Sequence, residues 1–505
     1  MRAVKSLKNV IFGWGMQLLI ILLGFVSRTV FIDALGEEYL GISGLFANIL
    51  SMLSLAELGI GTAIVFSLYK PIAEQNREQI IALMGFYQKF YRGVGCFVLI
   101  VGTALAPFLP HLVKEMPDIP HIYLIYLLYV VNTGVSYFYS YKTAFVNANQ
   151  ENFLVSLNHG ICFTFMVGIQ IVVLLVTRDF IAYFVVQIAA TLAENIIISR
   201  IADWRYPFLR SGEKYKIDPV ISKQIKFNTL AMIGHNLGGI VMGSTDNLII
   251  SKFVGIVEVG LYSNYQMIIN AVQTVLNQAF TAITSSVGNL LVLGDEKQKE
   301  DTFYMVFFVG FWLFGFCATA LFCLSNPFIE IWVGERFLYG MPIVAVLAAK
   351  FYCTGVRQAC ITFKCAAGLY MQDVFKPYVE VVVNLVISLI LVKRTGILGV
   401  FLGTLITTLL VTTWIEPVVL FRYEFQKGPW KYFGKYIWYG AVMVGGALLT
   451  YWCCGRIPAA GVGGFALKLL VVAVVPNAVY LLMFFWTGEF RLLARTLKSA
   501  LGNVP

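Results

Sequence analysis

Apolar runs of membrane-spanning length, each closed by a short polar or glycine-containing loop, recur along nearly the whole chain. About 20 apolar residues of helix cross a bilayer core. The pattern therefore predicts helices at about 10–33, 42–68, 80–106, 121–146, 153–176 and 180–200. A second set is predicted at about 227–252, 258–290, 303–326, 341–365, 375–394 and 397–420, and two more at about 436–454 and 464–486. The expected fold is an all-α polytopic membrane protein of about 14 transmembrane helices. Residues 1–202 form an N-terminal six-helix bundle and 203–226 a basic cytoplasmic linker; 227–421 form a second six-helix bundle, and 422–505 two further helices with a basic tail.

Composition supports this reading. Of 505 residues, 59% are hydrophobic and 13% charged, against roughly 25% charged in soluble proteins. No stretch is long or polar enough for a separate soluble domain. The opening MRAVKSLKN has the charge layout of a signal peptide, but the apolar run after it is too long and lacks a small-residue cleavage pattern, so a retained first span is expected. The nine cysteines show no metal spacing and sit mostly in apolar runs, as small buried residues. No cofactor or metal is expected.

The net charge of +10 does not point to nucleic acid, because the basic residues occupy the short loops. With the N-terminus inside, 26 Lys and Arg fall on one side and 8 on the other. By the positive-inside rule both termini are cytoplasmic.

An internal repeat organises the chain. FIDALGEEYLGIS matches a stretch within IISKFVGIVEVGLYS at an offset of 219, placing Gly36 on Gly255, Gly41 on Gly260 and Arg28 on Asn247. Six spans per repeat make the halves parallel, and the cleft between such halves is where a transporter binds its substrate.

Three consecutive motifs, SRTVFIDALGEEYLGISGLFANIL (27–50), SMLSLAELGIGTAIVFSLYKPIAEQN (51–76) and IIALMGFYQKFYR (80–92), resemble the polysaccharide-export flippases of the multidrug/oligosaccharidyl-lipid/polysaccharide exporter superfamily. The resemblance implies two bundles around a central cavity that opens alternately to either face. It also implies a polyprenyl-diphosphate-linked oligosaccharide as substrate, moved from the cytoplasmic to the outer leaflet of a bacterial plasma membrane. Its polyprenyl tail would stay in lipid beside the last two helices.

Ionisable residues inside spans cost about 2.5–3.5 kcal/mol on insertion scales, so they face a cavity or a partner. Gln17, Gly24 and Arg28 share one face of the first helix; Asn228, His235, Gly239 and Asp246 share one face of the seventh. Arg28 and Asp246 lie at similar depth near the outer ends. They either face each other, share an anionic substrate group, or snorkel to the interface. Lys350, Arg357 and Lys364 repeat every seven residues, about 10.5 Å of rise per step, with no carboxylate on their helix. They read as a cation ladder for a diphosphate, Arg offering a fork and Lys a point charge, or as internally paired groups; Lys364 also suits a positive-inside role.

The eighth helix carries Ser263, Asn270, Asn277 and Thr284, with Gln273 and Gln278 nearby. These suit either sugar hydroxyls or interhelical hydrogen bonds. Tyr126, Tyr129, Tyr137 and Tyr141 are either sugar-stacking or packing aromatics. Glu57, in AELGIGTA, and Glu194, on a face with Gln187 and Thr191, either bind a coupling H+ or Na+ or cap neighbouring helices. His235 packs or relays a proton. The expected protein is a monomeric transporter, not an enzyme. The alternatives are a cation-coupled exporter of the same fold and a membrane polysaccharide polymerase or ligase. The cationic residues oppose the first, and the short outer loops and absence of a catalytic motif oppose the second.

Overall fold

The structure is a computed structural model describing residues 2–54, 60–210, 215, 217, 243–369, 372–457 and 461–502. The chain divides into two compact units, Met1–Gly260 and Leu261–Pro505. Among the described residues every regular element is a helix.

The first unit holds α1 (Arg2–Leu35), α2 (Glu37–Leu53), α3 (Ile60–Ala73), α4 (Arg77–Leu105), α5 (Ile122–Ser136), α6 (Ser140–Ala148), α7 (Asn152–Thr177) and α8 (Phe180–Arg205). Helix α9 (243–253) follows, and α10 (Ile256–Leu293) leads into the second unit. There the chain forms α11 (Glu296–Val333), α12 (Met341–Val356), α13 (Gln358–Ala366), α14 (Lys376–Thr395), α15 (Ile397–Thr407) and α16 (Thr413–Tyr423). Helices α17 (Trp430–Cys454), α18 (Gly461–Phe484) and α19 (Gly488–Gly502) complete it. Short polar side chains start several of these helices by accepting otherwise unpaired backbone N–H groups. Asn76 accepts from Gln79 at 3.0 Å, Asp179 from Ile181 at 2.9 Å, and Asp295 from Gln298 at 2.7 Å.

Nine of the described helical segments are long and apolar enough to cross a membrane, or ten if α5 and α6, bent by 41°, form one span. This count covers the described residues only, and most of the expected 227–252 span lies outside them, so the fourteen expected spans are not all tested. The expected 42–68 span covers α2 and α3, with residues 55–59 between them outside the described residues, and α14 carries Lys376, Glu380, Lys393 and Arg394. The chain is a multi-pass membrane protein.

In the first unit α1 packs on α7, α7 on α8, and α4 on α5. The repeat-equivalent glycines meet there. Gly36 (φ 88°) and Gly255 (φ 147°) occupy backbone conformations that favour glycine, each immediately before a helix. A Cβ on Gly41 would lie 2.1 Å from the Ile256 carbonyl oxygen, and one on Gly260 2.9 Å from that of Glu37. The two aligned helix starts therefore cross backbone to backbone, which only glycine allows.

The second unit is built around α11. Phe303, Phe307, Phe308, Phe311 and Phe314 form a broad buried face. Phe311 meets Tyr439 of α17 at 4.6 Å and Tyr480 of α18 at 4.9 Å between ring centroids. Trp312 Nε1 donates to Asn477 Oδ1 at 2.7 Å, so the last two long helices are fixed to α11 by polar as well as aromatic contacts. Their other faces expose Leu448, Trp452, Leu470 and Leu482, as lipid-facing helices do. Amphipathic α19, with Arg491, Arg495 and Lys498, stacks Phe490 on Trp312 and has the pattern of an interfacial helix.

Candidate functional site

Among the described residues the densest group of buried charges lies in the second unit, where α13, α14 and α16 converge. Its centre is Glu416. Pro417 cannot donate a backbone hydrogen bond and crowds the carbonyl of Thr413. One turn earlier the helix widens into a π-turn over Thr408–Thr412. Thr412 and Thr413 hydroxyls both donate to the Thr408 carbonyl, at 2.8 and 2.9 Å. Such π-bulges mark places where a side chain is re-aimed. Here Glu416 is directed into the protein, with 2% of its side chain exposed.

Glu416 accepts a two-pronged contact from Arg357, Nε to Oε2 at 3.0 Å and Nη2 to Oε1 at 2.8 Å. The same Oε1 accepts from Lys376 Nζ, from the first turn of α14. Arg357 itself sits at the turn between α12 and α13. Two turns further, Lys364 is buried against Asp373, which comes from the loop before α14. Glu380, one turn along α14 from Lys376, is half-buried and within electrostatic range of Lys376 and Arg357. Two carboxylates shared among three cations, with Glu380 beside them, leave the group close to neutral. A buried charge without such compensation would cost several kcal/mol.

This arrangement corrects the expectation of an unneutralised ladder. Arg357 and Lys364 are each paired, by acids from outside their own helices. Met341–Ala366 runs as one membrane-length segment with a single turn residue at Arg357, so Lys350 and Lys364 lie on the same span. Lys350 is half-buried on α12.

In the first unit Arg28 is half-buried on α1, within electrostatic reach of the Tyr129 and Tyr183 phenols. Those rings belong to an aromatic wall from α1, α5 and α8: Phe31–Tyr183 at 5.3 Å, Phe31–Phe180 at 6.0 Å and Tyr129–Phe184 at 4.0 Å. Asp246 on α9 is fully buried. Glu194 on α8 bonds His159 Nδ1 on α7 at 2.9 Å, and Asn158 Nδ2 donates to the Glu194 carbonyl at 3.0 Å. Glu57 and His235 lie outside the described residues.

On α10, Tyr262 donates to Gln266 Oε1 at 2.5 Å and Gln266 Nε2 to Asn270 Oδ1 at 2.8 Å, forming a polar chain that ends on an exposed Asn270. Asn277, two turns further, is half-buried, and its carbonyl accepts from Thr281 at 2.9 Å. Exposed amides on a membrane helix face water or a ligand rather than hydrocarbon. Tyr126 and Tyr129 lie in packed aromatic clusters, Tyr126 donating to the Gly102 carbonyl at 2.9 Å. Glu416, Lys376 and His159 complete these groups from outside the sequence-based set. The signal for Glu416 was a carboxylate beside a proline in an otherwise apolar segment.

Long apolar helices enclosing paired charges define a multi-pass membrane protein. Solved structures with this fold include the lipid II flippase MurJ in an inward closed conformation, with 14% identity, a TM-score of 0.63 and coverage of 94% of this chain and 99% of that one. An inward-facing multidrug resistance MATE family transporter of the MOP superfamily gives 14%, 0.60, and 79% and 94%. The Vibrio cholerae MATE transporter VcmN gives 14%, 0.58, and 85% and 98%. The family described as polysaccharide biosynthesis protein matches residues 6–284, more than half of the chain. This chain belongs to that family. No curated protein matches it.

Proposed function

We propose that this protein is a flippase carrying a polyprenyl-diphosphate-linked oligosaccharide from the cytoplasmic to the outer leaflet of a bacterial plasma membrane, for cell-surface polysaccharide synthesis. The observation that carries the reading is the match to the polysaccharide biosynthesis family, in a chain whose fold is similar to that of solved flippase and multidrug-transporter structures. The half-buried cations Arg28 and Lys350, within membrane-length helices, add support, because a diphosphate is the anionic group such a substrate presents.

In this proposal two six-helix bundles alternate access to a central cavity, with both termini cytoplasmic and the protein a monomer. Arg28 and Lys350 contact the diphosphate; Arg357 and Lys364, committed to Glu416 and Asp373, hold the cavity wall and reach substrate only if those acids let go. Asn270 and Asn277 accommodate sugars. Asp246 and Arg28 form the outer gate. Glu194 with His159 is the coupling site for H+, with Glu57 and His235 as the remaining candidates and Na+ as the other candidate ion. No covalent chemistry is assigned to the protein.

The test is a chromosomal deletion complemented with wild type or Lys350→Ala. Deletion should abolish surface polysaccharide and leave lipid-linked oligosaccharide on the cytoplasmic leaflet, and Lys350→Ala should fail to restore the polymer while inserting normally. Normal surface polymer in the deletion strain refutes the reading.

A further inference from the structure

A cavity of about 730 Å³ opens in the first unit, away from the residues discussed above, between the first turns of α4, α6, the end of α8 and the turn that follows it. That size falls within the range of small-molecule sites, about 300–1,000 Å³. Its polar lining includes Lys89, Lys142, Arg210, Asp203, Gln88 and Tyr141. Asp203 is buried, its side chain 10% exposed. It accepts from Lys142 Nζ through both oxygens, at 2.7 and 2.8 Å, and from Arg210 Nε at 3.2 Å. One carboxylate thus holds two cations, and exposed Lys89 supplies a third. Gln88 Nε2 donates to the Tyr141 hydroxyl at 3.0 Å, placing an amide and a ring on the same wall.

The wall is anchored from behind. Buried Glu151 binds Arg205 at 2.9 Å and accepts from the Tyr206 hydroxyl at 3.1 Å. Burial, reinforced by the Glu151 carboxylate, pushes the Tyr206 phenol up to about 12, so it remains a donor throughout the physiological range. Arg77 lies 5.8 Å over the Phe208 ring. Among the described residues this lining carries two more positive charges than negative ones, around a preformed volume with sugar-compatible groups beside it.

The geometry points to a binding site for a diphosphate bearing a sugar, on the face that the basic-residue distribution assigns to the cytoplasm, where it loads the lipid-linked substrate before transport. A diphosphate diester carries two negative charges, equal to the surplus in the lining. Arg210 offers paired N–H donors and Lys89 and Lys142 point charges for its oxygens; the Gln88 amide and Tyr141 ring suit a hydroxylated sugar. The loading role rests on the flippase reading, whereas the diphosphate site rests on the cavity alone.

The test uses the full-length protein in phosphatidylcholine nanodiscs, titrated calorimetrically with inorganic pyrophosphate. Lys89→Gln and Arg210→Gln, both exposed and outside the packed core, should each weaken binding about tenfold, the loss expected for a half-solvated charged contact. Arg422→Gln, an exposed cation in the second unit, should leave it unchanged. Polyprenyl diphosphate in the disc should displace pyrophosphate, and phosphatidylglycerol should not. Absent binding to wild type, or equal binding to the Lys89→Gln/Arg210→Gln double variant, overturns the site. Displacement by phosphatidylglycerol reduces it to a leaflet contact and overturns it equally. If pyrophosphate binds but polyprenyl diphosphate does not compete, or if the double variant transports normally, the loading role falls while the flippase reading stands. If pyrophosphate binds and wild type moves no lipid-linked oligosaccharide, the flippase reading falls and the site stands.

Discussion

Replacing Glu416 with Gln keeps the side-chain shape but removes the charge on which two buried cations converge. The side chains of Arg357 and Lys376 are 9% and 8% exposed, so neither can recover hydration without local unfolding. An amide supplies one oxygen where the carboxylate served three donor contacts, and it places an N–H against a cation. Breaking a buried pair by removing one partner costs about 3–5 kcal/mol. For a unit of this size each kcal/mol lowers the midpoint by roughly 2–4 °C, so Glu416→Gln should unfold about 6–20 °C below wild type. Purified wild type and variant would be heated in the same detergent with a thiol-reactive dye. Cys360, fully buried beside the triad, reports its opening. Replacing Arg357, Lys376 and Glu416 together with Met, Met and Leu should recover most of the loss, because it leaves no stranded charge. A Glu416→Gln midpoint within about 2 °C of wild type would show that the triad is solvated or mobile, contrary to the burial reasoning.

Other outcomes follow from the first unit. Gly41→Val drives a side chain into the Ile256 carbonyl, 2.1 Å from the position of its Cβ; overpacking of this kind costs about 1–3 kcal/mol or more. The monodisperse yield after detergent extraction should fall, and a wild-type elution profile would refute the close crossing. Gly260→Val, the repeat equivalent, should behave alike. If Arg28 and Asp246 form the outer gate, Arg28→Asp with Asp246→Arg should restore more surface polysaccharide than either single change; a double variant no better than the worse single removes that pairing. His159→Leu leaves the Glu194 carboxylate without its cross-helix partner, and transport should lose its dependence on an imposed pH gradient. An unchanged dependence excludes this pair as the coupling site.

Much of the helical framework was legible because hydropathy and loop chemistry act locally. Among the described residues the apolar segments fall on helices, and Asn76, Asp179 and Asp295 start three of them as short polar residues before apolar runs do. The repeat was legible for a steric reason: Gly36 with Gly255 and Gly41 with Gly260 recur because each pair meets one backbone requirement twice. Breaks within spans were not, since hydropathy records composition and not continuity. The 41° bend between α5 and α6 and the turn at Arg357 leave no gap in the apolar pattern.

Charge pairing was the least legible feature. Glu416 stands 59 residues from Arg357, on another helix, so the sequence of the helix bearing the three cations does not contain their partners. His159 escaped for the same reason, its partner Glu194 lying one helix away. The Lys89–Lys142–Arg210 cavity joins residues that each read alone as ordinary loop-side charges.

The most direct test of the account is flipping in a purified system. Polyprenyl-diphosphate-linked oligosaccharide is placed in liposomes with or without the protein, and a membrane-impermeant glycosidase is added outside. The account predicts that protein-free liposomes protect about half of the oligosaccharide, the share in the inner leaflet, and that the protein exposes the protected half on a timescale of minutes. A protected fraction that stays the same with and without the protein, under an imposed pH gradient or sodium gradient of either sign, would contradict it.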